Sequence, residues 1–149
     1  MEWPVRHERF TGGMTVIELM MVVGIVAILA SIAVPAYSRF VKQTNRTDAT
    51  KTLQMAAESL ERCYSRSFKY TPCNVNGTVV NNGSTMETPN QFYIVTFTMP
   101  DDQDYTLTAV PAGAPQSSDS QCARFTLSST GAQTAQDNNA NNTTKPCWS

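Results

Sequence analysis

One carboxylate, that of Glu18, interrupts the apolar run Met14-Thr-Val-Ile-Glu18-Leu-Met-Met-Val-Val-Gly24-Ile-Val-Ala-Ile-Leu-Ala-Ser-Ile-Ala-Val34. As a helix rising about 1.5 Å per residue, these roughly 21 residues span about 32 Å, which is enough to cross a bilayer. A carboxylate at membrane depth costs about 2–3 kcal/mol or more unless it is paired or protonated. We therefore take Glu18 as a functional residue by hypothesis, and its natural partner is a positive charge.

Residues 1–13 differ in composition from the apolar run that follows them. They are short and polar, contain Pro4, have no apolar period and end in Gly12-Gly13. A segment of this kind is typical of a leader peptide rather than of a packed element. Cleavage between Gly13 and Met14 would give Met14 a free amine close to Glu18 in the chain, and so would supply the positive charge.

The order Gly13-Met14-Thr15-Val16-Ile17-Glu18, followed by the apolar run, resembles the class III signal of type IV prepilins. In that family a prepilin peptidase cleaves after the glycine and methylates the new N-terminus. The resemblance therefore implies Gly13 and Met14 as the processing site and Glu18 as an assembly residue. Pro35 falls where the family usually carries a proline. Met14 replaces the commoner phenylalanine, and the leader is less basic than usual.

Two other interpretations of the N-terminus compete. An ordinary secretory signal would use Leu19–Ala30 as its apolar region and cleave after Ser31-Ile32-Ala33. However, Glu18 interrupts the approach and Pro35 lies just past that cut. The second alternative is a plain signal anchor with an incidental glutamate. The glycine-to-glutamate spacing, taken together with the proline, favours the prepilin interpretation over both.

The apolar helix is expected to continue past Pro35, with a kink rather than an end, because proline removes one intrahelical hydrogen bond. Gly24 is a second weak point in the same helix. The resemblance implies that the stretch between Gly24 and Pro35 can melt in an assembled filament.

From Ala36 the pattern becomes amphipathic and predicts one helix from Met14 to about Tyr64. Asn45–Ala49 is a soft spot in it, because helix propensity there is low and a side-chain cap could form. This stretch, together with Leu60–Tyr64 and Tyr70-Thr71, is similar to a subgroup of minor pilins. The apolar positions that recur at three- and four-residue steps are Tyr37, Phe40, Val41, Ala49, Leu53, Ala56, Ala57, Leu60 and Tyr64.

Four cysteines fit an oxidising compartment and allow three pairings. Cys63 and Cys73 are close in the chain, and Cys122 and Cys147 enclose a polar tail. We favour Cys63–Cys73 and Cys122–Cys147, because each bond would close a local loop and contribute about 2–4 kcal/mol. A zinc site is the alternative, but there is no C-x-x-C and His7, the single histidine, lies in the leader.

The second half predicts an α+β fold, in which the amphipathic half of the helix packs on an antiparallel sheet of three or four strands. Residues 65–91 form a connector, the αβ-loop of the family, in which Thr78–Val80 suggests a short hairpin. Ala132–Ala135 could add a short strand. A polar loop follows, and it matches the D-region of type IV pilins if Cys122 bonds Cys147. The three main strand candidates are Phe92–Met99, Tyr105–Val110 and Ala123–Ser128.

Charge is unevenly distributed along the chain. The segment from Arg39 to Lys69, the basic strip, carries seven cations, whereas acids predominate beyond it. The plain interpretation is a solvated helix face with acidic loops. The functional one is complementarity between filament subunits, or a surface for DNA. The cations are Arg39, Lys42, Arg46, Lys51, Arg62, Arg66 and Lys69.

No enzyme motif, cofactor motif or metal spacing is recognisable, and we expect no cofactor. Residues 14–149 contain no histidine, which excludes histidine-based acid–base catalysis. Asp101-Asp102-Gln103-Asp104 could hold calcium weakly, but a solvated hairpin loop is the better interpretation.

These patterns predict a type IV pilin-like subunit, most similar to minor pilins. Residues 1–13 would be the leader, 14–35 the membrane and assembly helix, and 36–149 the periplasmic or extracellular domain. The expected partners are prepilin peptidase, the inner membrane before assembly, and other pilin subunits in the filament.

Within that prediction, the acidic sheet half favours adhesion or twitching motility over DNA uptake. A type II secretion pseudopilin is a further alternative, against which Cys122 and Cys147 argue. A membrane-anchored periplasmic binding module, still intact at Gly13, is the alternative from another class.

Overall fold

The computed structural model describes residues 13–148. The predicted leader, apart from Gly13, lies outside the described residues. The described chain contains one long helix, a two-stranded hairpin and a five-stranded sheet. This is the α+β architecture predicted from the sequence.

Helix α1 spans Val16–Ser67 without interruption. Thr15 caps its start, since the Glu18 backbone N–H donates to Thr15 Oγ1 at 3.3 Å. The helix continues through Pro35, as predicted. It ends where Phe68 adopts a left-handed conformation, with φ 57°. The observed C-terminus lies a few residues beyond the predicted Tyr64.

A short hairpin follows α1. Strands β1 (Cys73–Val75) and β2 (Thr78–Val80) pair antiparallel around Asn76-Gly77, and both turn residues have positive φ. Asparagine and glycine tolerate that conformation better than other residues do, which explains why this pair makes the turn. The predicted hairpin is therefore present, with a partner strand that the sequence analysis did not name.

The main sheet is antiparallel, and its strands lie side by side in chain order. It has five strands rather than the predicted three or four, because the connector contributes one more short strand and the segment after Gly131 contributes another. The strands are β3 (Thr85–Glu87), β4 (Tyr93–Thr98), β5 (Thr106–Pro111), β6 (Arg124–Ser128) and β7 (Gln133–Gln136).

The polar tail after β7 is anchored to the sheet edge. Gln136 forms an isolated antiparallel bridge with Asn142, and the Thr143 backbone N–H donates to Ala135 O at 2.9 Å. A four-residue helix, α2 (Thr144–Cys147), then closes the chain against β7. The long connection between β5 and β6 contains a 3₁₀ turn at Gln116–Ser118.

The core lies between the second half of α1 and the inner face of the sheet. The strands alternate as predicted, so Tyr105, Leu107 and Phe125 are buried. The helix contributes small and branched apolar residues at helical spacing. These buried helix residues are Ala49, Leu53, Ala56 and Leu60.

The chain divides into two compact units, with the boundary between Ser38 and Arg39. In the first unit, the large apolar side chains of α1 are exposed. Tyr37 and Phe40, the first large apolar residues of the amphipathic pattern, are 71% and 66% exposed. The buried residues of α1 begin at Asp48.

Two disulfides brace the second unit. Cys63 is bonded to Cys73 and Cys122 to Cys147, which are the pairs favoured from their spacing. The first joins the last part of α1 to β1, and the second joins the segment just before β6 to α2. The second bond makes the polar tail a closed D-region.

Candidate functional site

The residues expected to act in processing and assembly lie at the start of the described chain. Gly13, Met14 and Thr15 precede α1, and Glu18 lies in its first turn. A carboxylate in the first turn is favoured by the partial positive charge of the helix N-terminus. The structure holds one chain, so the pairing of Glu18 with an amine stays a prediction.

Gly24 and Pro35 both lie inside α1. A Cβ added at Gly24 would meet nothing within 4 Å, so no close contact within this chain requires glycine there. The helix assignment runs through both positions without interruption. Their expected role in local melting therefore stays a prediction about the assembled state.

The first unit presents an apolar surface to its surroundings. Val16, Ile17 and Met20 are each at least two-thirds exposed. In the described part of the chain, α1 is the one helix long and apolar enough to cross a membrane, with a mean hydropathy of 2.6 in its most apolar window. Such a surface needs lipid or apolar protein around it.

The basic strip divides into paired and unpaired cations. Three of its seven members form ion pairs within residues 13–148. Arg46 pairs with Asp119, Arg62 with Glu58, and Lys69 with Asp102. The cations with no carboxylate within 4 Å in that range are Arg39, Lys42, Lys51 and Arg66.

The pair between Arg46 and Asp119 is the most enclosed of the three. Arg46 Nε lies 2.7 Å from Asp119 Oδ2, and Nη2 lies 2.9 Å from Oδ1. The side chains are 12% and 4% exposed. Arg46 also donates to Gln121 Oε1 and to Pro146 O. One guanidinium therefore ties the β5–β6 connection and α2 to helix α1.

A second set of hydrogen bonds fixes the same connection. Gln116 is fully buried, and its amide Nε2 donates to Tyr93 Oη at 2.6 Å and to Lys42 O at 3.2 Å. Asn45 Nδ2 donates to Gln116 Oε1 at 3.2 Å. Asn45 therefore stays helical because its side chain is used in tertiary contacts. The soft spot predicted here does not interrupt the helix.

Two grooves flank Arg46 along the helix. One, of about 490 Å³, is lined by α1 and by residues 118–121, and Asp119, neutralised by Arg46, is its only carboxylate. The other, of about 260 Å³, lies between α1 and residues 146–148, and no carboxylate lines it. We call the α1 part of this surface the basic face. It consists of Arg39, Lys42, Gln43, Arg46, Thr47, Thr50, Lys51 and Gln54.

The other end of the basic strip has mixed charge. Lys69 is paired with Asp102, and this partner raises the pKa of Lys69. Asp101 and Asp104 lie in the same turn between β4 and β5. A polyanion would meet repulsion at this end, so the basic face is the better candidate for binding one.

An aromatic cluster stiffens that mixed end. Tyr64 stacks on Tyr70 with ring centroids 4.7 Å apart, and Tyr70 meets Tyr105 edge to face. Both Tyr70 and Tyr105 donate from Oη to Glu61 Oε1 at 3.1 Å. Burial, followed by the bond to Glu61, raises the pKa of Tyr70 to about 12. The cluster is structural, and sequence patterns did not predict it.

The carboxylates Asp101 and Asp102 of the acidic turn are engaged in contacts within the described chain. Asp101 Oδ1 accepts from the backbone N–H groups of Gln103 and Asp104, and Asp102 is paired with Lys69. No group of three or more potential metal ligands occurs within residues 13–148.

Comparison with known proteins identifies the family. The family described as "Type IV minor pilin ComP, DNA uptake sequence receptor" matches residues 35–126, which is more than half of the chain. The chain belongs to this family of type IV minor pilins.

One curated relative is similar to part of the chain. The chain is 41% identical over 51 residues to "Prepilin peptidase-dependent protein D" of Escherichia coli (strain K12). The match covers 34% of this chain and 35% of that relative, so the chain spans about a third of the length of the curated relative it matches. The predicted family, type IV minor pilins, is confirmed, whereas the roles of Gly13, Met14 and Glu18 stay predictions, because the matched residues 35–126 do not include them.

Proposed function

We propose that this minor pilin binds double-stranded DNA through its basic face while it is part of a type IV pilus filament. The observation that carries the proposal is the chemistry of that face. Its cations and its amide and hydroxyl groups lie together on one helix, and Asp119, the carboxylate beside them, is already neutralised by Arg46. The description of the matching family as a DNA uptake sequence receptor supports the same role.

Phosphate binding explains why such a face would suit DNA. Cations that contact phosphates release counterions, and this release dominates the affinity of most protein–DNA complexes. Amide and hydroxyl side chains also donate to phosphate oxygens. The preference for adhesion or motility, drawn from the acidic sheet half, has no comparable support, and the family match fits the DNA-uptake alternative.

The test uses the processed full chain in neutral-lipid nanodiscs and a fluorescent duplex. Affinity should fall with salt, with a log–log slope of about −3 for three phosphate contacts by Arg39, Lys42 and Lys51. Arg39→Glu with Lys51→Glu should weaken binding about tenfold or more. Arg62→Glu with Arg66→Glu, at the mixed end, is the matched control. Absence of binding at low salt, or equal losses in both variants, would refute the proposal.

For assembly, we propose cleavage between Gly13 and Met14 and insertion of the apolar half of α1 among like helices. The freed Met14 amine, its own or a neighbour's, would pair with Glu18, because an unpaired buried charge is strongly unfavourable. The precursor would then be a single-pass inner-membrane protein, and the mature chain would be extracellular.

Two variants test this assembly step. Glu18→Ala should leave membrane insertion intact and stop or cripple incorporation into filaments, whereas Glu87→Ala, an exposed acid of β3, should assemble normally. Gly13→Leu should trap a precursor that keeps residues 1–13. Normal filament incorporation of Glu18→Ala would count against the role of the carboxylate, and a mature chain from Gly13→Leu would count against the cleavage site.

A further inference from the structure

The two edges of the five-stranded sheet differ in how they are covered. At one edge, β7 is bridged by Asn142 and packs against α2. At the other edge, and within residues 13–148, β3 has β4 as its one hydrogen-bonded sheet neighbour. An uncovered edge strand presents main-chain donors and acceptors on which another extended chain can pair. The β3 edge is therefore the place where a further strand can add to this sheet.

The pairing register shows which main-chain groups of β3 point outward. Just before β3, Ser84 O accepts from a backbone N–H of β4 at 2.9 Å, and just after it, Thr88 N–H donates to β4 at 2.9 Å. Because bonding alternates along an antiparallel pair, Met86 bonds to β4, whereas Thr85 and Glu87 direct their N–H and C=O groups away from it. Both residues are exposed, and no hydrogen bond within residues 13–148 occupies their outward main-chain groups.

A groove of about 710 Å³ runs beside this edge, within the range of about 300–1,000 Å³ that is typical of ligand sites. It is lined by α1, by the β1–β2 hairpin and by β3. Met55 of α1 is 55% exposed there, and Met86 of β3 is half-buried. Methionine side chains adapt to apolar partners of different shape. Since side chains alternate along a strand, every second residue of a strand added to β3 would face these two methionines.

The charges of the groove indicate what else an added strand would carry. Glu58 and Arg62, which line the groove, pair with each other. Glu87 has no cation within 4 Å in the described range, so the sheet edge keeps one uncompensated negative charge. Opposite charges directly across an antiparallel pair are stabilising, and like charges are destabilising. A basic residue opposite Glu87 is therefore favoured.

We propose that β3 and this groove bind an extended segment of another protein, in which apolar and basic residues alternate, by antiparallel strand addition. Its apolar residue contacts Met55 and Met86, and its basic residues exchange main-chain hydrogen bonds with Thr85 and Glu87. In such binding, main-chain hydrogen bonds give affinity and alternate side chains give specificity. The groove shares no residue with the basic face, so this inference does not depend on DNA binding.

The first experiment measures amide hydrogen exchange by NMR, with the processed full chain in neutral-lipid nanodiscs. The probe is a five-residue peptide, acetylated and amidated at its ends, that alternates valine and lysine and has valine at both ends. Without the peptide, the amides of Thr85 and Glu87 should exchange quickly and that of Met86 slowly. The peptide should slow the exchange of the first two.

Two methylated peptides test the direction of the hydrogen bonds. Methylation of both lysine backbone nitrogens removes the donors that face β3, and should weaken binding about tenfold or more. Methylation of the central valine nitrogen, which points away from β3, is the matched control and should change the affinity little.

Two variants separate the main chain of Glu87 from its charge. Glu87→Pro removes the outward N–H and should weaken peptide binding about tenfold or more, while slow exchange at Met86 checks that β3 still pairs with β4. Glu87→Gln keeps the N–H, so it should still bind, but it should lose the preference for the valine–lysine peptide over a valine–glutamate peptide.

Three outcomes would overturn the inference. One is that the peptide leaves the exchange of Thr85 and Glu87 unchanged. Another is that the two methylated peptides lose affinity equally. The third is that both amides are already slow in the chain alone and slow further with protein concentration, which would assign the edge to a second copy of the chain.

Discussion

The two units of this minor pilin differ in how far they bury their apolar residues. In the first, the large apolar side chains from Met14 to Val34 are between 46% and 76% exposed. In the second, Leu53, Phe97 and Leu107 are fully buried. The comparison teaches that hydrophobicity alone does not make a core. The second unit buries its apolar residues within the chain, whereas the described part of the first unit leaves them exposed.

The largest expected effect tests this contrast directly. Leu53→Ala should lower the free energy of unfolding of the second unit by about 2–5 kcal/mol, because it leaves a cavity in a packed core. Ile25→Ala removes a similar volume from an exposed position and should leave it unchanged. Guanidinium titrations of both variants in detergent would measure the difference, and similar losses would break the comparison.

The enclosed ion pair should have the next largest effect. Asp119→Ala leaves Arg46 with no carboxylate in a site where its side chain is 12% exposed, and should cost about 3 kcal/mol. Asp102→Ala removes the partner of exposed Lys69 and should produce no resolvable change. Thermal denaturation followed by circular dichroism would compare them. Equal shifts in melting temperature for the two variants would show that burial of the ion pair does not affect its contribution to stability.

The two disulfides should contribute unequally to the stability of the second unit. Replacing Cys122 and Cys147 together by serine should cost about 2–4 kcal/mol, since the bond closes a long loop. The same change at Cys63 and Cys73 should cost less, because that loop is shorter. Urea titrations would rank the two, and the reverse order would contradict a loop-length explanation.

The smallest effect concerns alkaline pH. Burial raises the pKa of Tyr70 and of Tyr93 to about 12, from an ordinary value near 10. Below pH 10 both states keep these protons, and between about pH 10 and 12 the unfolded state loses them first. Stability should therefore fall with rising pH across that window.

Tyr70→Phe removes one of these groups and should flatten the fall in stability between pH 10 and 12. Denaturant titrations at several pH values would measure it. An unchanged slope would mean that Tyr70 does not titrate differently in the folded and unfolded states.

The sequence predicted the features that depend on local pattern. The alternation around Leu107 and Phe125 placed the correct faces inward, and Asn76-Gly77 marked a turn. The helix bounds followed from an uninterrupted apolar and amphipathic pattern. Each of these is set by the residues within one element, so it is visible without knowledge of the rest of the chain.

The remaining features depend on tertiary contacts. Thr85–Glu87 is short and polar, and it becomes a strand because β4 pairs with it. Asn45 and Asp48 look like helix breakers, but Gln116 and Asn90 bind their side chains. The basic strip was visible as charge, yet its division into paired and unpaired cations depends on where Asp119 and Asp102 lie in the fold.

The most direct test of the central claim is the mass of the native chain in sheared surface filaments. The account predicts a chain that begins at methylated Met14, recovered together with other pilin subunits. A chain that remains in the membrane fraction and still carries residues 1–13 would contradict it, because the exposed apolar helix would then serve only as an anchor.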